Sequence, residues 1–394
     1  MLSLAFFAGK STIMKRSMMA GVCFLLMTSL AAGQPFRSTA RNKEIGIQFY
    51  KNIEFLGAVF FMGSMAAEAN QENARMPDGK RKGDWFAYDL SLYKKYQSFV
   101  NHPDLLIMAG FGERSEGSIL ARLLIHLDEF PRAVIRPEKD GPYLRPFLRQ
   151  GDSAASIKEV VEFVAAANRL YKAMDFEVYF RDHVPFYEKA LSEIRSVLPD
   201  ARLITTMEQY YRQSFARYAL IPSLTIPAGM AFGVNYTAAG NTTIMNLFGP
   251  FALQQFSDTA ALNMGFADSN HIRELSTHEF GHSFSNPAVA LIPPALVKET
   301  ARLFGPVREA MENQGYNTWS ACLYEYFVRA GEVVIARKLG RQASAERLLK
   351  YYVEGRRFVH LPLVIAELEK YDRDPRITYQ QAVINAMEKL KTQP

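Results

Sequence analysis

The chain has 394 residues, 48% hydrophobic and 22% charged, with a formal net charge of +6. That is globular composition with material for a sizeable core, and without low-complexity tracts or fixed-period repeats a solenoid or disordered chain is excluded. So small a charge balance over such a length gives no electrostatic case for a nucleic-acid partner.

Residues 14–33, "MKRSMMAGVCFLLMTSLAAG", predict a secretory signal peptide. Lys15 and Arg16 form a basic start, Met18 to Leu30 an apolar run, and Ala31 and Gly33 a small-residue cleavage site. The run falls short of the roughly 20 residues a spanning helix needs, so no stable membrane insertion is expected after cleavage. Residues 1–33 are therefore assigned to the leader, and the mature chain is expected to be secreted, periplasmic or at the cell surface. Cleavage removes Lys10, Lys15 and Arg16 and no acid, which lowers the net charge to +3. It also removes Cys23 and leaves Cys322 alone, so no internal disulfide can form.

Residues 34–200 read as a mainly helical portion. Helical spacing of apolar residues runs through 44–66, from 155 to 174, and through 186–198, where Pro199 stops it. Near residue 201 the character changes. "ARLITTMEQ", "SLTIPAGMAFGVNYT" and "NTTIMNLFG" are β-rich and separated by turn signals. From about 257 helices return: one near 269–285, one near 294–313, one from 318 to about 339, and two in the tail. Helices, a small sheet and helices again predict an α+β fold, with residues 201–394 as its second portion, the one that holds the motif described next.

The chemistry centres on "STHEFGHSFSNP", residues 276–287. Asp268, Ser269 and Asn270 can each cap a helix that Pro287 should end. On that helix His278 and His282 lie at i and i+4, so both imidazoles project from one face at a spacing that suits a shared zinc ion. Glu279 is rotated by about 100°, beside the ion, where a general base must sit to deprotonate a metal-activated water. Uncharged Thr277, Phe280, Gly281, Ser283 and Phe284 around the motif fit a buried helix better than a surface one.

A catalytic zinc needs a third protein ligand. Ser285 and Ala288 stand where a metzincin would carry glycine and histidine. No histidine follows His282 until His360, and no aspartate until Asp372. A glutamate is left, from Glu299, Glu309, Glu312, Glu325 and Glu332. Glu325 lies in "TWSACLYEYFVRAGEVVIA", a helix capped by Thr318 and apolar on every side. A carboxylate there needs a partner: a metal, an arginine such as Arg329 one turn on, or both. Glu325 is the stronger candidate, and Glu332 on the same stripe is the reserve. Tyr316, Tyr324, Tyr326 and His360 are candidates for oxyanion stabilisation. His271 is read as a supporting or capping residue, and His102, His126 and His183 as ordinary polar positions.

"STHEFGHSFSNP" followed by "WSACLYEYFVRA" resembles the gluzincin type of HExxH zinc metallopeptidase with a zincin-like core. More closely, it is similar to a bacterial domain-of-unknown-function family of predicted secreted HExxH proteins. The resemblance covers about residues 220–335. It implies His278, His282 and Glu325 as zinc ligands, Glu279 as base and acid, and a sheet edge that binds extended peptide. The expected function is thus an exported zinc-dependent metallopeptidase acting on peptide or protein substrates. The alternatives are a zincin-fold binding protein without peptidase activity and a non-peptide zinc hydrolase.

Overall fold

A computed structural model describes residues 43–393 except 77, 78, 150 and 239. The expected leader lies outside the described residues. Among those described, no helix is long and apolar enough to cross a membrane.

The fold is α+β, with one mixed four-stranded sheet among many helices. Strands β1 (Ile45–Ile47), β2 (Arg217–Pro222), β3 (Ala231–Ala238) and β4 (Asn241–Phe248) are arranged β1-β2-β4-β3. The β1–β2 and β2–β4 pairs are parallel and β3–β4 is an antiparallel hairpin, so β3 is an edge strand. Tyr218 to Pro222 and Ile244 to Phe248 are buried throughout, because helices cover both faces of the central strands.

One face carries the helix Ser269–Ala290, called here the site helix. Tyr218 of β2 packs edge-on against its Phe280, Asn246 of β4 meets its Ser276, and Gly233 of β3 lies against Glu279. The Gly233 contact is too close for any side chain: a Cβ would sit 2.5 Å from the Glu279 carbonyl oxygen. The other face packs against the helices Lys51–Phe60 and Gly117–His126, which enclose Phe232 and Leu247. The helix Trp319–Lys338, called here the glutamate helix, lies against the site helix on the side away from the sheet. A large hydrophobic core runs from Ile53 to Leu390 through these layers, and a smaller separate cluster gathers Phe61, Phe86 and Leu90.

Several elements differ from the sequence reading. Residues 45–47 form a strand in place of a helical turn, because β2 offers Tyr218 to Leu220 as parallel partners. Residues 201–209, read as β-rich, lie in the helix Arg202–Tyr211, with Ala201 at its N-cap. Leu203, Ile204, Met207, Tyr210 and Tyr211 are the buried apolar set, a 3.6-residue period that outweighs the β-branched Ile204, Thr205 and Thr206. The central strand β2 lies at 217–222, outside the three β-rich stretches, and 223–230, within the second of them, is a loop. Pro287 does not end the site helix, which continues to Ala290. The proline ring is exposed, and Ala288 and Val289 are buried behind it, so packing sustains the last turn despite one missing N–H. The 294–313 helix is broken into Pro294–Thr300, a 3₁₀ stretch Ala301–Val307 containing Gly305-Pro306, and Arg308–Glu312. The tail holds three α-helices, Gln342–Lys350, Leu361–Arg373 and Tyr379–Lys391, where two were expected.

Candidate metal centre

Local signals place the two site helices. Asp268 is the N-cap of the site helix, accepting from the N–H groups of Asn270 and His271 at 3.0 and 2.9 Å. Thr318 caps the glutamate helix by accepting from Ala321 N–H at 3.1 Å. Gly331 lets the helices be wedged together, since a Cβ there would sit 2.5 Å from the Tyr211 hydroxyl. Tyr211 in turn stacks on Phe284 of the site helix, with ring centroids 4.7 Å apart.

This packing brings His278, His282 and Glu325 together, with one ligand atom from each within 4.8 Å of the others. His278 Nε2 is 3.2 Å from His282 Nε2, and each is 3.6 Å from a Glu325 oxygen. Ligand atoms about 2.0–2.2 Å from a tetrahedral ion would themselves lie roughly 3.3–3.6 Å apart. The two 3.6 Å contacts are to different Glu325 oxygens, Oε2 for His278 and Oε1 for His282, so the carboxylate faces both imidazoles and the three groups are close enough to hold a metal ion.

The surroundings orient each of the three groups. Glu332 Oε1 accepts from His278 Nδ1 at 2.5 Å, which leaves the Nε2 lone pair facing the cluster. Glu332 is itself fixed by the Tyr352 hydroxyl, which donates to Oε2 at 2.5 Å. His282 Nδ1 lies 3.2 Å from Asn286 Oδ1, one turn along, and its Nε2 likewise faces inward. Glu325 Oε2 accepts from Arg329 Nη2 at 2.7 Å, and the Arg329 guanidinium lies over the rings of Tyr352 and Phe358.

The electrostatics follow. Burial alone would push the Glu325 carboxyl up, but Arg329, both histidines and a hydrogen bond from Tyr316 outweigh it and hold it down at about 2. Glu325 is therefore ionised at any ordinary pH, as a metal ligand must be. Burial pulls His278 down, and the neighbouring Glu332 and Glu325 more than reverse that, so it is raised overall. Glu279 is buried, and no salt bridge to it is formed among the described residues. Burial raises its pKa, and the two histidines only partly offset this.

Most of the remaining candidates are placed elsewhere. Glu299 pairs with Lys391 at 2.9 Å and Glu312 with Arg308, both on the surface. His271 stacks on Phe251 with centroids 4.2 Å apart, and burial lowers its pKa to about 4. Tyr316 reaches the Glu325–Arg329 pair, whereas Tyr326 is packed among Trp319, Phe358 and His360. His102 caps the helix Pro103–Glu113, His126 bonds Asp140, and His183 bonds the Tyr179 carbonyl. Sequence reasoning left out the Asn286 contact, the Tyr352–Glu332 bond and Arg356, which lies beside Glu279 and Arg329. Asn286 carries a signal, at i+4 from His282. Arg356 carries none.

Fold and site together define an α+β protein with a buried cluster of two histidines and a glutamate, close enough to hold a metal ion. The chain belongs to the family described as a domain of unknown function, DUF4932, which matches residues 148–381 and so spans every residue of the centre. No curated protein and no solved structure matches the chain.

Proposed function

We propose that the protein is a zinc-dependent metallopeptidase of the gluzincin type, with a zincin-like core formed by β3, β4 and the two site helices. The observation that carries the reading is the buried His278–His282–Glu325 cluster with Glu279 beside it, against an edge strand. The donor set of two imidazoles and one carboxylate suits zinc, and three protein ligands leave room for a substrate. Zinc, when bound, would polarise a scissile carbonyl and acidify a water.

The chain's own residues then have separate tasks. His278, His282 and Glu325 hold the ion, and Glu332 and Asn286 fix the imidazole orientations. Glu279, raised by burial toward the working range of a general base, takes a proton from water and delivers it to the leaving amine. β3 has β4 as its strand partner and no second strand among the described residues, and its Gly233 packs face-on against Glu279, so an extended peptide adding to the free edge is the binding mode we propose. The retained base Glu279 favours this reading over a purely structural metal site.

The test is cleavage of casein and of a mixed peptide library by zinc-loaded wild type and by Glu279→Gln. We expect cleavage by wild type and a loss of about 10²–10⁴-fold in the variant with its metal content unchanged. Cleavage that survives in Glu279→Gln would remove the assigned base, and none by loaded wild type would remove the peptidase reading.

A further inference from the structure

Beside the metal-binding cluster is a cavity of about 20 Å³, bounded by Ala231 of β3, by Leu275, His278 and Glu279 of the site helix, and by Arg329 and Arg356. Such a volume admits a group little larger than a water and excludes a large side chain. Both arginines are withdrawn from solvent, with exposures of 2% and 7%. Arg329 donates through Nη2 to Glu325 and Tyr316, and its buried Nε has no hydrogen-bond partner among the described residues. Arg356 is braced from behind. Its Nε donates to Gln314 Oε1, and Gln314 Nε2 donates back to the Arg356 carbonyl at 3.0 Å.

Part of the cavity wall is basic, since Arg329 and Arg356 both line it, and buried guanidinium groups favour an anionic acceptor. Guanidinium groups recognise carboxylates through paired, charge-assisted hydrogen bonds.

Resting on the peptidase reading above, we propose that this cavity receives a substrate carboxylate on the leaving-group side of the scissile bond, with Arg356 as the specificity-determining residue. The side follows from Glu279, which walls the cavity and must pass its proton to the leaving amine. Two groups have this chemistry. One is the α-carboxylate of a C-terminal residue, which would make the enzyme a carboxypeptidase. The other is an aspartate or glutamate side chain just after the scissile bond.

Zinc-loaded Glu279→Gln protein, slowed in turnover, provides a binding assay by fluorescence anisotropy. Three labelled peptides, identical except at the end, finish in alanine carboxylate, alanine amide or aspartate amide. We expect one of the two carboxylate peptides to bind at least about tenfold tighter than alanine amide, and which one identifies the source. Adding Arg356→Met should shrink that preference to within about threefold of unity. Arg356→Lys should leave an intermediate preference, and it serves where Arg356→Met does not fold. Equal binding of all three peptides, or a preference undiminished in either arginine variant, would overturn the proposal. The two readings fail separately. Arg356-dependent carboxylate binding by a wild type that cleaves nothing sinks the peptidase reading and leaves the carboxylate site standing. Wild-type cleavage of amidated neutral peptides as fast as carboxylate ones sinks the carboxylate site alone.

Discussion

Glu325, on the glutamate helix, and Glu54, on the helix after β1, are both withdrawn from water, at 3% and 0% exposure. Glu325 is met by Arg329, two imidazoles and the Tyr316 hydroxyl, and it stays ionised, at about 2. Glu54 is met by hydrogen bonds alone. Its Oε2 accepts from the Leu224 N–H and the Tyr187 hydroxyl, each at 3.1 Å, and its Oε1 has no hydrogen-bond partner among the described residues. Burial dominates there and pushes Glu54 up to about 7, and buried Asp89 nearby is raised as well. Desolvation is common to both sites, so the difference lies in whether a cation is buried with the acid. A carboxylate kept charged inside a protein can hold a metal, whereas one that turns neutral serves as a packing and hydrogen-bonding group.

The comparison can be broken most severely at Arg329. Arg329→Met leaves Glu325 buried without its cation, and a loss of about 3–5 kcal/mol in unfolding free energy is expected for the metal-free protein. Denaturant unfolding measures it, and a loss below about 1 kcal/mol would mean that Arg329 does not hold the charge of Glu325.

Glu54 is tested through pH. Its folded pKa lies above the unfolded value of 4.5, so the folded state binds the extra proton. Stability attributable to Glu54 is therefore complete below about pH 4.5, falls as pH rises to about 7, and is constant above. The fall should be on the order of 3 kcal/mol. Glu54→Gln, neutral at every pH, should remove that slope from the unfolding free energy measured between pH 4.5 and 7.5. An unchanged slope would show that Glu54 is not the group responsible.

Glu332 sharpens the comparison from the metal side. Glu332→Gln removes the charge that orients His278, and zinc affinity measured by chelator competition should fall about 10- to 100-fold. The smallest effect is expected at the N-cap. Asp268→Ala should lower stability by about 1 kcal/mol and leave zinc affinity unchanged, separating the scaffold of the site helix from its ligands.

The site was more legible in the sequence than the fold that carries it. His278 and His282 share a face because of helical geometry that four residues suffice to define, and Asp268 and Thr318 mark their helices by cap chemistry. Glu325 was reachable by elimination, since the segment after His282 contains neither histidine nor aspartate until His360 and Asp372. Glu325 and Glu332 are seven residues apart, two turns on one stripe, so the sequence could nominate both but not divide their roles. In the structure Glu325 faces both Nε2 atoms while Glu332 holds His278 Nδ1. Long-range pairing was the illegible part. β1 and β2 depend on partners more than 160 residues away in one case, which local pattern does not carry. Arg356 reaches the cavity from a segment without helical or strand periodicity, and only the fold brings it there.

Metal content tests the central claim most directly. Wild type and Glu325→Ala, purified without chelator and then exposed to zinc, would be analysed by inductively coupled plasma mass spectrometry. The account predicts about one zinc ion per wild-type chain and a marked loss of bound zinc in Glu325→Ala. Wild type that neither retains nor takes up zinc would contradict it, and full occupancy in Glu325→Ala would remove Glu325 from the ligand set.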